Sequence, residues 1–144
     1  MPRDYENQSP TAFQRLPENT RAEHWIKNLL HRGNIARIAS RFDVQPFINT
    51  STFFYDETNQ RIIFHSNIVG RVHANIEQYP EVCVEVSEFG KLLPSNIALE
   101  FSLQYRSVLV FGKAFLIEDE FEKKKVLHQL IDKYFGDMQI DQDY

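Results

Sequence analysis

The sequence contains only one cysteine, Cys83, among its 144 residues. A single cysteine excludes an intramolecular disulfide and any zinc site built from several thiolates. A chain without disulfides suits a reducing compartment, so we expect the protein to be cytoplasmic. Cys83 lies between two valines, which is more typical of a small core side chain than of a nucleophile.

Long runs of one kind of residue are also missing. The sequence has 16 basic and 20 acidic residues, a formal charge of −4, and no Lys/Arg block that could follow a phosphate backbone, so nucleic acid is not an expected partner. No apolar run is long enough to span a bilayer, and the first twenty residues lack the apolar core of a signal peptide. We therefore expect a soluble protein without a membrane partner.

Motifs for metal binding and covalent catalysis are absent from the sequence as well. His65 and His73 lack the H-x-H or H-x-x-x-H spacing of metal ligands, so no metal site is predicted. Neither a G-x-S-x-G elbow nor a G-x-x-x-x-G-K-[ST] loop occurs, so the sequence gives no support for covalent catalysis and identifies no catalytic residue.

Glycine is scarce, with five residues, whereas phenylalanine occurs twelve times and 42% of the residues are hydrophobic. This composition is typical of a packed globular chain, and the length is that of one domain. We expect a single domain over residues 1–144, with an extended N-terminal arm at 1–19 and a C-terminal helix at 118–136. The N-terminal arm and the acidic end "DMQIDQDY" could order against a partner subunit.

Two longer helices are predicted, one near each end of the chain. Thr20 and Glu23 form an S/T-x-x-E capping box, and Gly33 is suited to a left-handed helix end. The apolar face of this first helix comprises Ala22, Trp25, Ile26, Leu29 and Leu30. In the C-terminal helix, which ends at Gly136, the recurring apolar positions are Leu127, Leu130, Ile131 and Tyr134.

Strands are predicted between these helices, where β-branched and aromatic residues dominate. Their expected ranges are 34–41, 45–55, 61–66, 81–87 and 103–117, which give five or six strands. "YDETNQR" predicts a hairpin, and "GRVHANIEQYP" predicts a short helix that stops at Pro80. Because no regular crossover helices separate the strands, we expect a mostly antiparallel sheet, and closure into a small barrel would protect its edges.

Polar residues in two of these elements suggest a binding site. The run Asn49–Thr52 places amides and hydroxyls in a strand, where they either face a polar ligand or simply bond backbone and water at an edge. Gly70 and Arg71 stand at a helix start, where free N–H groups and a guanidinium could bind phosphate. A surface arginine that faces water is the alternative.

Taken together, the segments "NIARIAS", "QPFINTSTFFYD", "RIIFHSNIVGRVHANIEQYPEVCVEV" and "YRSVLVFGKAFLIED" resemble the pyridoxamine phosphate oxidase-like flavin-binding split barrels. Within that family they are most similar to the nitroimidazole reductase-like branch. The resemblance extends from Arg21 to Phe135. It is most specific in F-H-S followed by G-R, in the strand from Pro80 to Val86, and in Y-R-S-V.

The resemblance implies a mainly β fold with flanking helices, a six-stranded antiparallel split barrel, and a homodimer with FMN sites between the subunits. His65 and Ser66 would border the flavin, and Thr50 and Thr52 would lie on the neighbouring strand. Arg71 would approach the phosphate. Two further phosphate candidates are Arg37 and His73.

One position departs from the family pattern, because Val72 stands where the family usually has a lysine. This loss would weaken FMN binding or favour another flavin, such as FAD. The first functional hypothesis is an oxidoreductase that passes electrons from a reduced nicotinamide to a small acceptor, with nitroaromatic compounds as candidates and His65 as the group to test for proton supply. The alternatives are a non-catalytic module that binds flavin or haem, and a structural dimer without a ligand.

Overall fold

The computed structural model describes residues 6–12 and 17–136. The other parts of the predicted N-terminal arm, residues 1–5 and 13–16, and the acidic end at 137–144 lie outside the described residues. After a single 3-10 turn at Pro17–Asn19, the helices are α1 (Glu23–Arg32), α2 (Arg71–Gln78) and α3 (Glu120–Phe135). The strands are β1 (Ala36–Phe42), β2 (Gln45–Ser51), β3 (Phe54–Asp56), β4 (Arg61–Ile63), β5 (Glu81–Leu93) and β6 (Ser102–Lys113).

The six strands form two antiparallel sheets. One sheet has four strands in the order β2-β1-β5-β6, and the other pairs β3 with β4. Within the described residues, no backbone ladder joins the two sheets, so hydrogen bonding does not close the barrel. The predicted fold class, mainly β and antiparallel with flanking helices, is confirmed.

The four-stranded sheet has one covered face and one open face. Because side chains alternate along a strand, residues opposite Ile38, such as Val84, share one face, and residues opposite Arg37, such as Glu85, share the other. We name them the inner face and the outer face. The buried core, on the inner face and the elements packed against it, contains Leu29, Leu30, Ala36, Ile38, Phe53, Tyr55, Val84, Val86 and Val108.

Helix α1 begins later than the capping-box prediction requires, and that prediction is wrong. Ala22 is the N-cap, and no side chain caps the helix. Thr20 stands too early because the backbone before α1 is held in a separate turn, where Arg21 Nη1 donates to the carbonyl oxygens of Glu18 at 2.7 Å and Thr20 at 3.2 Å. Ala22 is exposed, so it does not belong to the buried face.

Gly33 ends α1 for a reason other than the predicted left-handed geometry. Its φ is −59° and its ψ is 138°, a conformation open to any residue. A Cβ atom at this position would lie 2.5 Å from Val86 Cγ1 and 3.3 Å from Phe53 Cζ. Gly33 is therefore required by close packing against the sheet.

Several strand boundaries differ from the predictions, including that of β4, which ends at Ile63 instead of 66. The range 45–55 is interrupted after Ser51, so that β2 and β3 join different sheets. Strand β5 continues to Leu93, beyond the predicted end at 87, because it pairs with β6 along most of its length. Strand β6 ends at Lys113 instead of 117. The predicted hairpin between β3 and β4 and the short helix α2 are confirmed.

The end of α3 is fastened to the break between β2 and β3. Lys133 Nζ donates to the carbonyl oxygens of Gly33 at 2.6 Å and Phe53 at 2.9 Å. The Tyr134 hydroxyl donates to the Asn34 carbonyl at 2.6 Å and accepts from the Phe53 N–H at 3.1 Å. These contacts satisfy backbone groups that the interrupted strand would otherwise leave without partners.

None of the helices in the described part of the chain has the length and apolar character that crossing a bilayer requires.

Candidate functional site

Two of the predicted site residues lie together on the outer face. Arg37 of β1 stands directly opposite Thr50 of β2. The Arg37 Nη1 donates to Glu85 Oε2 at 3.0 Å and to Ser87 Oγ at 3.3 Å, both on β5. The charge of Arg37 is thus already balanced by a carboxylate, which makes it a poorer phosphate ligand than an unpaired arginine. Thr52 follows the end of β2 and is exposed.

A second group of predicted residues surrounds the start of α2. His65 and Ser66 are exposed in the segment between β4 and α2. The turn before the helix is fixed by Asn67, whose carbonyl accepts from Gly70 N–H and whose Oδ1 accepts from Val69 N–H, both at 2.9 Å. Because the N-cap residue is Gly70, no side chain caps α2, and its first N–H groups remain available to an anion.

Arg71 is the first residue of α2, and its side chain is exposed. Its Cζ lies 5.4 Å from the centroid of the Phe42 ring, and within the described residues it forms no ion pair. His73, in contrast, is paired with Glu77 at 3.1 Å on the same helix. Arg71 is therefore the better placed of the two side chains to bind an external anion.

Val72 points into the core and is only 5% exposed. Val72, which stands where the family usually has a lysine, is consequently an apolar packing residue of α2 and provides no surface charge next to Arg71. A second cation at this helix start would have to come from another position or another molecule.

The two groups lie on opposite faces of the sheet. Arg37 is on the outer face, whereas α2 packs against the inner face, where Asn75 Nδ2 donates to Ser40 Oγ at 3.0 Å. Arg71 contacts Phe42, which is five residues beyond Arg37 on β1, or about 17 Å along an extended strand. One chain therefore does not bring all the predicted residues into one pocket, and their roles stay predictions.

The outer face carries a shallow cavity of about 380 Å³ that sequence reasoning missed in part. Its lining comprises Arg37, Glu85, Ser87, Phe89, Leu103, Tyr105 and Ser107. Only Arg37 was predicted individually. The motif Y-R-S-V contained Tyr105 and Ser107. Sequence reasoning did not give the pairing of β5 with β6, which places these two residues opposite Phe89 and Ser87.

A larger cavity of about 760 Å³ lies between the start of α1 and the far half of the β5–β6 hairpin. Its lining comprises Asn19, Arg21, Trp25, Glu88, Phe89, Gly90, Leu103, Gln104, Tyr105, Arg106 and Ser107. Both cavity volumes are within the usual range for small-molecule sites. None of the predicted site residues lines the larger cavity.

Cys83 lies on the outer face, opposite Ala39 and Phe111, and is half-buried. The expectation of a core position is therefore wrong, because the strand register turns this side chain away from the inner face. Burial raises the pKa of the Cys83 thiol, and Glu85 adds a smaller contribution in the same direction. A thiol that stays protonated is a weak nucleophile.

Metal-binding clusters are not found in the part of the chain that the structure describes: residues 6–12 and 17–136 hold no group of three or more His, Cys, Asp or Glu side chains suited to an ion.

Apolar side chains are exposed along the outer face. They include Ile48 at 65%, Phe89 at 67%, Tyr105 at 60% and Leu109 at 56%, and Phe111 at 44%. Several large apolar side chains exposed on one sheet face are typical of an interaction surface.

Comparison with known proteins identifies a family. A family model described as pyridoxamine 5'-phosphate oxidase matches residues 22–143. Among curated proteins, no sequence matches the chain significantly.

Solved structures show the same fold at low sequence identity. A flavocytochrome from Azotobacter vinelandii is 23% identical, with a TM-score of 0.70 over 85% of this chain and 58% of that chain. An FAD and haem binding protein from Mycobacterium smegmatis is 18% identical, with a TM-score of 0.70 over 85% of this chain and 60% of that chain. This chain thus spans less than two thirds of the length of these two proteins.

A third match is a candidate 5-nitroimidazole antibiotic resistance protein from Bacteroides thetaiotaomicron. It is 21% identical, with a TM-score of 0.72 over 86% of this chain and 73% of that chain. At such identities the likeness establishes the fold, a split barrel, and nothing about the ligand.

Proposed function

Since the chain belongs to the pyridoxamine 5'-phosphate oxidase family, we propose that it is a flavin-binding protein, with FMN as the first candidate ligand and FAD as the alternative. Two of the structural relatives are a flavocytochrome and an FAD and haem binding protein, which supports a flavin as the ligand class.

The observation that carries this proposal is the start of α2. Its first N–H groups have no side-chain cap, and Arg71 stands beside them without an ion pair among the described residues. An uncapped helix start attracts an anion through its free N–H groups and its dipole, and a guanidinium adds a two-pronged contact. This combination suits the terminal phosphate of FMN, with His65 and Ser66 next to it in the chain.

The second part of the proposal is a homodimer that completes the site. The start of α2 and the outer-face cavity lie on opposite sides of the sheet, so one chain cannot offer both to one flavin. In a dimer in which the outer face of each copy contacts the other copy near the start of α2, Arg37, Thr50 and Thr52 of one copy would approach the flavin held by α2 of the other. An isologous dimer would contain two such sites.

A bound flavin supplies the redox chemistry, accepting electrons from a donor and passing them on. The protein would hold the ring system, bind the phosphate at α2 and restrict access of water. We propose an oxidoreductase that uses a reduced nicotinamide and a small acceptor, with nitroaromatic compounds as the acceptors to assay first.

One observation favours the alternative, a module that binds flavin or haem without turnover. Val72 is packed in the core and His73 is engaged by Glu77, so Arg71 alone supplies a side-chain charge for the phosphate. Oxidation of NADH or NADPH that depends on an added acceptor distinguishes the two. Flavin binding without such turnover would support the module.

The test of the flavin site compares FMN with riboflavin, which lacks the phosphate. The visible spectrum of protein purified without added cofactor is recorded first, and the flavin-free protein is then titrated with each ligand. We expect Arg71→Gln to weaken FMN binding about tenfold, the loss of roughly one charged hydrogen bond, and to leave riboflavin binding unchanged.

Lys124→Gln is the matched control, because it removes one positive charge from an exposed position on α3 and should change neither affinity. Equal weakening of FMN and riboflavin by Arg71→Gln would place the phosphate elsewhere. A colourless protein that binds neither FMN nor FAD would reject the flavin proposal itself.

A further inference from the structure

Four side chains form a continuous row at the end of β1, which we name the β1-end row. The Arg71 Cζ lies 5.4 Å from the centroid of the Phe42 ring. The rings of Phe42 and Tyr79 meet edge to face, with centroids 6.4 Å apart. The Arg41 Cζ lies 4.1 Å from the centroid of the Tyr79 ring. The row therefore has two aromatic rings in the middle and a guanidinium at each end.

The β1-end row passes from the inner face of the sheet to the outer face. Phe42 points to the same side of β1 as Ser40, which α2 covers on the inner face. Arg41 alternates with these residues and belongs to the outer face, where it lies 3.7 Å from Glu81. Tyr79, the C-cap residue of α2, contacts both Phe42 and Arg41. The row thus leads from the start of α2 around the end of the sheet.

The length of the row suits a ligand that continues beyond one phosphate. Arg71 is the first residue of α2 and Tyr79 follows the last, so their backbones are roughly 12 Å apart along the helix. FMN ends at its phosphate, and a phosphate held at Arg71 would leave the far half of the row without a contact. FAD continues from that phosphate through a second phosphate and a ribose to an adenine, which can span this distance.

Arg41 is held in one orientation at the far end of the row. Its Nη1 donates to the Asp43 carbonyl at 2.9 Å, and its guanidinium lies over the Tyr79 ring. The side chain is 45% exposed, so part of the guanidinium is open to a ligand. Because Glu81 balances the charge, Arg41 offers a planar surface more than a free cation, and nucleic-acid bases stack on such planes.

From these contacts we propose that the site at the start of α2 takes FAD in preference to FMN, with the flavin-side phosphate at Arg71 and the adenine stacked on Arg41. The inference rests on the proposed function, because it specifies the ligand of the same site. A side chain that its neighbours already hold in place loses little freedom when a ligand stacks on it. Arg41 is thus a specificity-determining residue that FMN does not contact.

The preference is measured by titrating flavin-free protein with FAD and with FMN in separate experiments. We expect FAD to bind at least about tenfold more tightly than FMN. Equal affinities would overturn the assignment of FAD and would leave the flavin proposal standing. A protein that binds neither ligand would reject both proposals.

Variants of Arg41 test the stacked adenine. Arg41→Met should weaken FAD binding about tenfold and leave FMN binding unchanged, whereas Arg71→Gln should weaken both. Arg41→Lys keeps the charge and loses the planar group, so it should weaken FAD binding as Arg41→Met does. Lys124→Gln again controls for one lost positive charge and should change neither affinity. Full affinity of Arg41→Lys for FAD would overturn the stacked adenine.

Calorimetry with ADP separates FAD from a second nucleotide as the source of the adenine. ADP contains the adenosine diphosphate part of FAD, so protein saturated with FAD should not bind it. ADP that binds to the FAD complex of wild type, and not to that of Arg41→Met, would show that Arg41 holds the adenine of another nucleotide. That result would overturn the assignment.

Discussion

Lys133 is a half-buried cation that has no carboxylate partner within the described residues. Its Nζ donates to two backbone carbonyls and lies 3.6 Å from the centroid of the Phe53 ring. These contacts favour the charged form, and burial outweighs them, lowering the pKa of Lys133 from 10.5 to about 8. The ammonium group is therefore less readily charged in the folded chain than in the unfolded chain.

This difference predicts a pH dependence of stability. Between about pH 8 and pH 10.5 the unfolded chain binds more protons at Lys133 than the folded chain, so this residue makes the free energy of unfolding rise with pH across that window. The difference in unfolding free energy between wild type and Lys133→Met, measured in urea at pH 7, 8, 9 and 10, should shift in favour of wild type as the pH increases. Lys124→Met, on the exposed side of the same helix, should show a constant difference. A flat difference for Lys133→Met would contradict the lowered pKa.

Asn75 is a fully buried polar residue whose hydrogen bonds are incomplete. Its Nδ2 donates to Ser40 Oγ at 3.0 Å, and its Oδ1 has no partner among the described residues. We expect Ser40→Ala alone to cost about 1–3 kcal/mol of unfolding free energy, because the Asn75 amide then loses its remaining partner. The double variant Ser40→Ala with Asn75→Leu should recover most of this loss, since it replaces both polar partners. Chemical denaturation of the four proteins checks this, and a double variant less stable than the sum of its parts would contradict it.

Among the helices, α1 and α3 begin with different N-caps. Asp119 Oδ2 accepts from Glu122 N–H at 2.7 Å at the start of α3, whereas Ala22 offers no side-chain oxygen at the start of α1. Both N-cap residues have extended backbone geometry, which Ser and Asp adopt without strain.

Exchanging these caps should therefore change stability in opposite directions. Asp119→Ala is expected to lower the free energy of unfolding by about 1 kcal/mol, and Ala22→Ser to raise it by up to about 1 kcal/mol. Thermal unfolding followed by circular dichroism measures both. Thr20→Ala is the control for the second variant, because Thr20 does not cap α1. If Thr20→Ala lowered the free energy of unfolding as much as Asp119→Ala, Thr20 would be shown to cap α1 after all.

At the scale of the whole molecule, the outer face of the four-stranded sheet exposes large apolar side chains that we expect a partner to cover. Its exposed apolar residues lie mainly on the edge strands β2 and β6, on either side of the Arg37–Glu85 ion pair of the central strands β1 and β5. The residues of this face come from β1, β2, β5 and β6, so a second copy seated on it would contact every strand of the sheet. The expected assembly is a homodimer.

Sedimentation at micromolar concentration should accordingly show a particle of twice the chain mass. Leu109→Glu places a charge among the exposed apolar residues of β6 on the outer face and should give a monomer that keeps its circular dichroism spectrum but binds FMN at least tenfold more weakly. Leu116→Glu, also at an exposed leucine, lies outside the sheet and should leave the dimer intact. A wild-type monomer that binds FMN with full affinity would reject the two-copy site.

The sequence by itself determined the fold class, the helices α1 and α3, the β3–β4 hairpin and the short helix α2. Each of these depends on local periodicity and on turn residues that are adjacent in the chain. It also pointed to Gly70 and Arg71 at a helix start, since that pattern is local too. Only the tertiary structure decided that Val72 faces the core, that Cys83 does not, and that Gly33 is needed for space beside Val86. The cavity formed by Trp25, Arg21 and Arg106 likewise required the pairing of β5 with β6 and the position of α1 against the hairpin. These features depend on contacts between residues that are distant in the sequence. Burial of the apolar inner face determines those contacts, and no local pattern does.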